Sequence, residues 1–295
     1  MSTISASQVK ELREKTGLGL MDCKKALQEA NGDIDLAIEE LRKTSGIKAS
    51  KKSGRSAADG LIAIDIQDKN IFMVEVNCET DFVARDESYV SFTQEVVQTY
   101  SKNPDMSLEQ LLELGVEDSR ERLVQKLGEN IIVRRVVKTD DSSVKGCYLH
   151  SNHKIGCIVS LDGGDEELAN DIAMHASATD PMAVSPSDIP DDVLSKEREI
   201  FKAQSEESGK PPEIIEKMIE GKIAKFLSEV SLTDQDFVKD PNIKINQLLK
   251  EKNANILSFT RYEVGEGIEV KKVDFATEVM SQIEGYMLNE IVEGA

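Results

Sequence analysis

Twice along this chain a β-hairpin pattern is followed by a helical pattern, and that order constrains the fold more than any other feature. The first hairpin reads as Leu61 to Ile66 and Ile71 to Val76, turning at Asp68-Lys69-Asn70. The helix after it, Ser88 to Tyr100, carries apolar residues at 89, 92, 96, 97 and 100, which is the spacing of one helical face. The second hairpin reads as Gly146 to His150 and Ile155 to Leu161. A helix from Glu166 to about Ala178 follows, with Leu168, Ile172 and Ala176 on one side. Hairpin then helix, repeated, predicts an α+β class with two related subdomains built on antiparallel sheets.

The remaining segments are mostly helical. Residues 1–46 read as three short helices. Ser5 and Gln8 form a capping box ahead of Val9 and Leu12, and Gly17 ends the first helix. The second runs from about Leu20 to Ala30 and stops at Asn31-Gly32; Asp33 caps the third, whose apolar positions are Leu36, Ala37, Ile38 and Leu41. This bundle is similar to ubiquitin-associated domains and buries too little to favour an independent enzyme. Residues 47–58, with Lys48, Lys51, Lys52 and Arg55 among Ser, Gly and Ala, read as a flexible linker.

Residues 59–139 form a first core subdomain. It includes a helical stretch from Leu108 to Leu127 that passes through Gly128-Glu129-Asn130 into a strand from Ile131 to Val137. Residues 140–185 and 231–266 form a second, closed by a strand from Ile256 to Val264. Pro181, Pro186 and Pro190 mark the boundary of an insertion at 186–230. There Val193, Leu194, Ile200 and Phe201, then Ile215, Ile219, Ile223, Phe226 and Val230, flank the breaker Ser208-Gly209-Lys210-Pro211-Pro212. That is an antiparallel helical hairpin, expected to associate, by default with a second copy of itself. Residues 267–295 are expected to hold a terminal helix around Asp274 to Ile291.

Composition excludes several function classes. The net charge of −19, from 55 acidic and 36 basic residues, repels a phosphate backbone, so direct nucleic-acid binding is not expected. No apolar run approaches the roughly 18 to 20 residues of a membrane helix, and Met1 to Ser7 lack a secretory pattern, so a cytosolic protein is expected. Catalytic motifs are missing: there is no Gly-x-x-x-x-Gly-Lys loop, Gly-x-Ser-x-Gly elbow or His-Glu-x-x-His helix, and no enzyme or cofactor is expected. Four cysteines at 23, 78, 147 and 157 do not form a disulfide framework. Cys147, His150, His153 and Cys157 have a spacing that suggests zinc. Strand alternation, however, sends Cys147 and His150 to opposite sides, and a turn centred on Asn152 sets Cys147 opposite Cys157. His175, on a helical face, reads as a core histidine with its hydrogen bonds satisfied.

The segment Asn77-Cys78-Glu79-Thr80-Asp81-Phe82-Val83-Ala84-Arg85 carries the chemistry. It joins a strand to a helix and sets an acid beside a large aromatic at a chain reversal. Asp81 is placed to cap the following turn. Phe82 has two addresses: it closes the local core, or it is presented to a partner.

This segment closely resembles the signature of the bacterial elongation factor Ts family. So do Val9-Lys10-Glu11-Leu12-Arg13 with Thr16-Gly17, Met21-Asp22-Cys23-Lys24-Lys25-Ala26-Leu27, Gly128-Glu129-Asn130, Glu229-Val230-Ser231-Leu232 and Glu263-Val264-Gly265-Glu266-Gly267. The resemblance implies a guanine nucleotide exchange factor that associates with the GDP form of the GTPase elongation factor Tu, promotes GDP release and stays bound until GTP arrives. It implies that Thr80, Asp81, Phe82 and Val83 disturb the partner's magnesium site. It also implies that Arg13, Leu20, Met21, Leu127, Gly128 and His150 contact that partner, and that the 186–230 hairpin serves dimerisation. The rival reading is a pure interaction module in which residues 5–45 recognise a ubiquitin-like or helical partner.

Overall fold

The computed structural model describes residues 4–140, 144–207 and 210–269. The expected helix around Asp274 to Ile291 and the Ser208-Gly209 part of the breaker lie outside the described residues.

The chain begins with α1 (Ala6–Thr16), α2 (Leu20–Glu29) and α3 (Ile34–Lys52). The capping box forms: Ser5 Oγ accepts the Gln8 N–H at 3.3 Å, and Gln8 Oε1 accepts the Ser5 N–H at 3.0 Å. Gly17 at φ 70° ends α1 in the left-handed region, where glycine carries no Cβ penalty. Leu12, Leu18, Cys23, Leu27, Ala37 and Leu41 close a small core, whereas Leu36 is exposed, one position off the Ala37–Leu41 stripe.

The expected linker at 47–58 is helical as far as Lys52, because α3 does not stop at the bundle. Its second half packs on α7 (Glu117–Leu127) and buries Ser45 and Ala49, Ala49 joining the core of the first subdomain. Gly46 permits the approach, since a Cβ there would lie 3.0 Å from Glu121 Oε1. Tertiary burial here overrides a Ser-, Gly- and Lys-rich composition.

In the first subdomain β1 (Asp59–Gln67), β2 (Asn70–Cys78) and β3 (Ile132–Lys138) form an antiparallel sheet in that order. Asp68 and Lys69, at φ 50° and 67°, make the two-residue turn whose twist suits a hairpin. β2 is apolar on both faces because both are covered. Phe72, Val74 and Val76 meet α5 (Glu87–Lys102) and α7, while Ile71 and Met73 meet the second sheet. Between β2 and α5 lies the single turn α4 (Asp81–Ala84). The expected helix from Leu108 is broken: α6 (Leu108–Leu111) leads to α7 through a kink at Leu114 and Gly115, with Gly115 at φ 96°.

A bulge in β3 gives Glu75 its surroundings. Glu75 pairs with Arg135 and Val76 with Val133, so Arg134 is the extra residue. The bulge lets consecutive arginines reach one carboxylate, which regular alternation forbids. Glu75, fully buried, accepts from Arg134 Nη1 at 3.0 Å, Arg135 Nε at 2.5 Å, Asn77 Nδ2 at 3.0 Å and the Gly265 N–H at 3.0 Å.

The second sheet orders β4 (Val144–Leu149), β5 (Ile155–Asp162) and β8 (Asn255–Glu263), with α8 (Glu166–Thr179) on its outer face. The two sheets pack through Ile62, Ile71, Met73, Ile158 and Tyr262. Gly156 allows this, since a Cβ there would meet Ile62 and Met73 at 2.9 Å. The expected register of the second hairpin is off by one. Tyr148, not Cys147, pairs with Cys157, because four residues separate Leu149–His150 from Ile155 rather than a turn centred on Asn152. A one-residue slip exchanges faces. Cys147 therefore faces the layer between the sheets and Cys157 faces α8, and the spacing that suggested zinc does not converge on one point. Among the described residues no three His, Cys, Asp or Glu side chains gather as a metal site.

The insertion is α9 (Asp191–Glu206) and α10 (Pro212–Val230), antiparallel and anchored at its base where Met182 N–H donates to Val230 O at 2.8 Å. Ile219 and Ser205 are buried, whereas Ile200 is exposed. Sequence patterns miss the β6 (Asp236–Phe237), β7 (Asp240–Lys244) and α11 (Ile245–Glu251) unit between the hairpin and β8, whose elements are too short to show a period. No helix among the described residues is long and apolar enough to cross a membrane.

His175, buried on α8, ties this small unit to the second core. Its Nδ1 accepts the Val238 N–H at 3.2 Å and its Nε2 meets Gln235 Oε1 at 2.9 Å, which selects the neutral ring protonated on Nε2. Burial pushes its pKa below the usual 6.5, and the Gln235 contact restores only part. The unfolded chain thus takes up a proton first, so the contribution is full above roughly pH 6.5 and is lost as pH falls through the folded value. Thermal melts of wild type should therefore lose more stability between neutral pH and pH 5 than melts of His175→Gln; equal slopes would refute this.

Candidate functional site

The Thr80–Val83 turn sits where β2 leaves the first sheet. Thr80, not Asp81, caps α4: its Oγ1 accepts the Val83 N–H at 3.4 Å. Asp81 instead pairs with Arg85 at 2.8 Å in an exposed contact. Val83 and Ala84 take the inward positions of this single turn and are buried, which leaves Phe82 pointing out, 82% exposed. The core address for Phe82 is therefore wrong. Beneath the turn lies Cys78, whose Sγ is 3.2 Å from Thr80 O; burial pushes this thiol up to about 12.

The turn is pinned from outside. One oxygen of Glu129 accepts the Glu79 and Thr80 N–H groups, each at 3.0 Å, and the other accepts Thr80 Oγ1–H at 2.6 Å. Glu79 answers by accepting the Asn130 N–H at 2.6 Å. Asn130, itself buried, donates Nδ2 to Arg55 O at 2.8 Å and Ser53 O at 3.4 Å. Lys52 Nζ donates to Gly128 O, and its pKa is lowered by burial first and the nearby Arg55 charge second. The end of α3, the end of β2 and the end of α7 thus meet in one hydrogen-bonded knot. Charge-assisted bonds of this kind are stronger than neutral ones.

The other residues singled out from the sequence lie around this knot. Leu127 is half-buried against the first core, and Gly128 at φ 80° ends α7 with an exposed backbone. Arg13, Leu20 and Met21 flank the α1–α2 turn, which abuts α7: a Cβ on Gly17 would lie 4.0 Å from Lys126 Cδ. Leu20 is 55% and Met21 72% exposed.

His150 is exposed at the β4–β5 turn, with Nδ1 3.0 Å from Tyr148 Oη. It lines a largely apolar cleft of about 400 Å³ with Tyr148, Ile155, Met174, Ala178 and Val238. Its turn is tied to the start of β1: Ile62 N–H donates to His153 O at 2.8 Å, and Lys154 Nζ bonds Gly60 O at 2.7 Å and pairs with Asp59. Asp59 is opposite Cys78 in the β1–β2 register, so the His150 turn and the Thr80 turn occupy the same end of the two sheets.

Sequence reasoning missed the residues that hold the turn, Lys52, Glu79, Glu129 and Asn130. An acid directly after a helix-ending glycine was the available signal, but partners 49 to 51 positions apart leave no local period.

A family model described as Elongation factor TS matches residues 79–266. The chain is 54% identical over 287 residues to the elongation factor Ts of Hahella chejuensis, covering 97% of this chain and 100% of that one. It is 53% identical over 291 residues to that of Francisella tularensis subsp. novicida, covering 97% and 100%. To that of Marinobacter nauticus it is 52% identical over 281 residues, covering 95% and 97%.

Proposed function

This chain belongs to the elongation factor Ts family of translation elongation factors, and from that premise we propose that it is a guanine nucleotide exchange factor for elongation factor Tu. It catalyses no covalent chemistry. It binds the GDP form of the GTPase, loosens the magnesium and phosphate site, and remains bound until GTP enters.

The observation that carries this reading is Phe82: an aromatic 82% exposed on a turn whose backbone is pinned by Glu129. Leaving such a ring in water forgoes about 1.5 to 3 kcal/mol of burial, which a partner recovers when it encloses the ring. Phe82 is the wedge that enters between helices of the GTPase domain. Asp81, beside it, adjusts the hydrogen bonds around the ion. Magnesium bridges and neutralises nucleotide phosphates, so disturbing its ligands weakens nucleotide binding. Coupling is reciprocal: the nucleotide weakens the exchange factor's grip by the same factor. A coupling of about 5.5 kcal/mol would give roughly a 10⁴-fold change. Leu127, Gly128 and His150 at the same end, with Arg13, Leu20 and Met21 on the bundle, complete the contact surface. The α9–α10 hairpin is the element assigned to self-association.

Release of labelled GDP from elongation factor Tu, with and without micromolar protein, tests the reading; no acceleration sinks it. Asp81→Ala should slow release only about two- to fivefold, since its exposed pair with Arg85 is screened and its effect on the ion is indirect. A loss larger than that of Phe82→Ala would reverse the assigned roles.

A further inference from the structure

We infer that Glu129 is a positioning residue, the latch that fixes the direction in which Phe82 is presented, and that the ends of α3, β2 and α7 engage a partner as one body. This rests on the exchange-factor reading and adds a residue that touches neither nucleotide nor ion.

α4 is one turn long and too short to hold its own geometry, because a lone helical turn fixes several dihedrals for one hydrogen bond. Its direction must be set from outside. Val83 and Ala84 anchor the inward side, but the outward side is held by a single carboxylate accepting from two backbone N–H groups and a hydroxyl. The orientation of Phe82 follows directly from the Thr80 to Val83 backbone. Glu129 lies outside the apolar core clusters, so its loss opens no core cavity and acts on the turn alone.

The same knot joins the turn to Lys52, Ser53 and Arg55 at the end of the bundle's long helix. A partner that grips the bundle therefore also grips the support of Phe82.

The test measures GDP release from elongation factor Tu against concentration for full-length wild type, Glu129→Ala, Phe82→Ala and the double variant, with amide exchange on the free proteins. Glu129→Ala should lower the maximal rate about tenfold and shift the half-saturating concentration less than about threefold, since docking survives and presentation fails. Residues acting through one another are non-additive, so on a Phe82→Ala background it should cost less than about twofold more. The Thr80 and Val83 amides should exchange at least about tenfold faster in Glu129→Ala with global unfolding unchanged. Glu129→Gln, whose amide oxygen still accepts N–H bonds, should recover part of both losses. Independent multiplication in the double variant, or unaltered protection at Thr80, overturns the inference. If wild type does not accelerate release, the exchange reading alone falls, and the amide comparison still decides the latch.

Discussion

Phe82→Ala should slow GDP release from elongation factor Tu about ten- to a hundredfold while leaving the fold intact. The size follows from the ring: enclosing an exposed phenylalanine is worth about 1.5 to 3 kcal/mol, and each 1.36 kcal/mol is tenfold in rate. The intact fold follows from exposure, since exposed positions away from caps and cores usually shift stability by less than about 0.5 kcal/mol. Circular dichroism and a thermal melt on the same preparation separate the two effects. An unfolded variant would return Phe82 to the core, and an unchanged rate would end its role as a wedge. Phe82→Leu should fall between, keeping apolar bulk but not the flat ring.

The second large effect concerns stability. Glu75→Ala should lower the unfolding free energy by about 3 kcal/mol, measured by urea titration, because it strands two guanidinium groups and a backbone N–H arranged around one buried carboxylate. The lower end of the range for broken buried pairs applies, since Arg134 and Arg135 keep some access to water. Glu75→Gln keeps the shape and an acceptor and should lose roughly half as much. Burial alone would raise the Glu75 pKa, but the Gly265 N–H, Arg135 and Asn77 outweigh it and hold the carboxyl below the usual range. Its contribution is therefore present above roughly pH 4.3 and fades as acid takes the solution through the lower folded value. A loss below about 1 kcal/mol would mean the arginines find equivalent partners elsewhere.

What the sequence made legible was periodic. The α5 face at 89, 92, 96, 97 and 100 is buried as its spacing predicts, and the β1–β2 turn at Asp68-Lys69 needs no tertiary information. Register was less legible: four residues rather than three at the second turn moved Cys147 away from Cys157. The continuation of α3 to Lys52 was hidden because α7, not local propensity, holds that segment helical. The exposure of Phe82 was undecidable locally. In a single turn either Phe82 or the Val83–Ala84 pair faces inward, and the knot of Glu79, Glu129 and Asn130, built from distant segments, selects the pair. The family signature drew attention to the right turn, but it did not disclose what holds that turn.

The strand order of the second sheet bears on how the molecule assembles. β5 pairs on one side with its neighbour β4 and on the other with β8, and the whole α9–α10 hairpin is synthesised between them. The first sheet closes within residues 59–138, so its nucleus is complete early in synthesis. The second keeps one edge of β5 unpaired until residues 255–263 emerge, a long loop closure whose entropy must be met before the strand contacts form. Through Met73, Ile71 and Ile62 the finished first sheet offers that waiting strand an apolar wall. The earlier half of the molecule thus serves as a template on which the later half folds, and it shields an open β-edge that would otherwise be free to pair with another nascent chain.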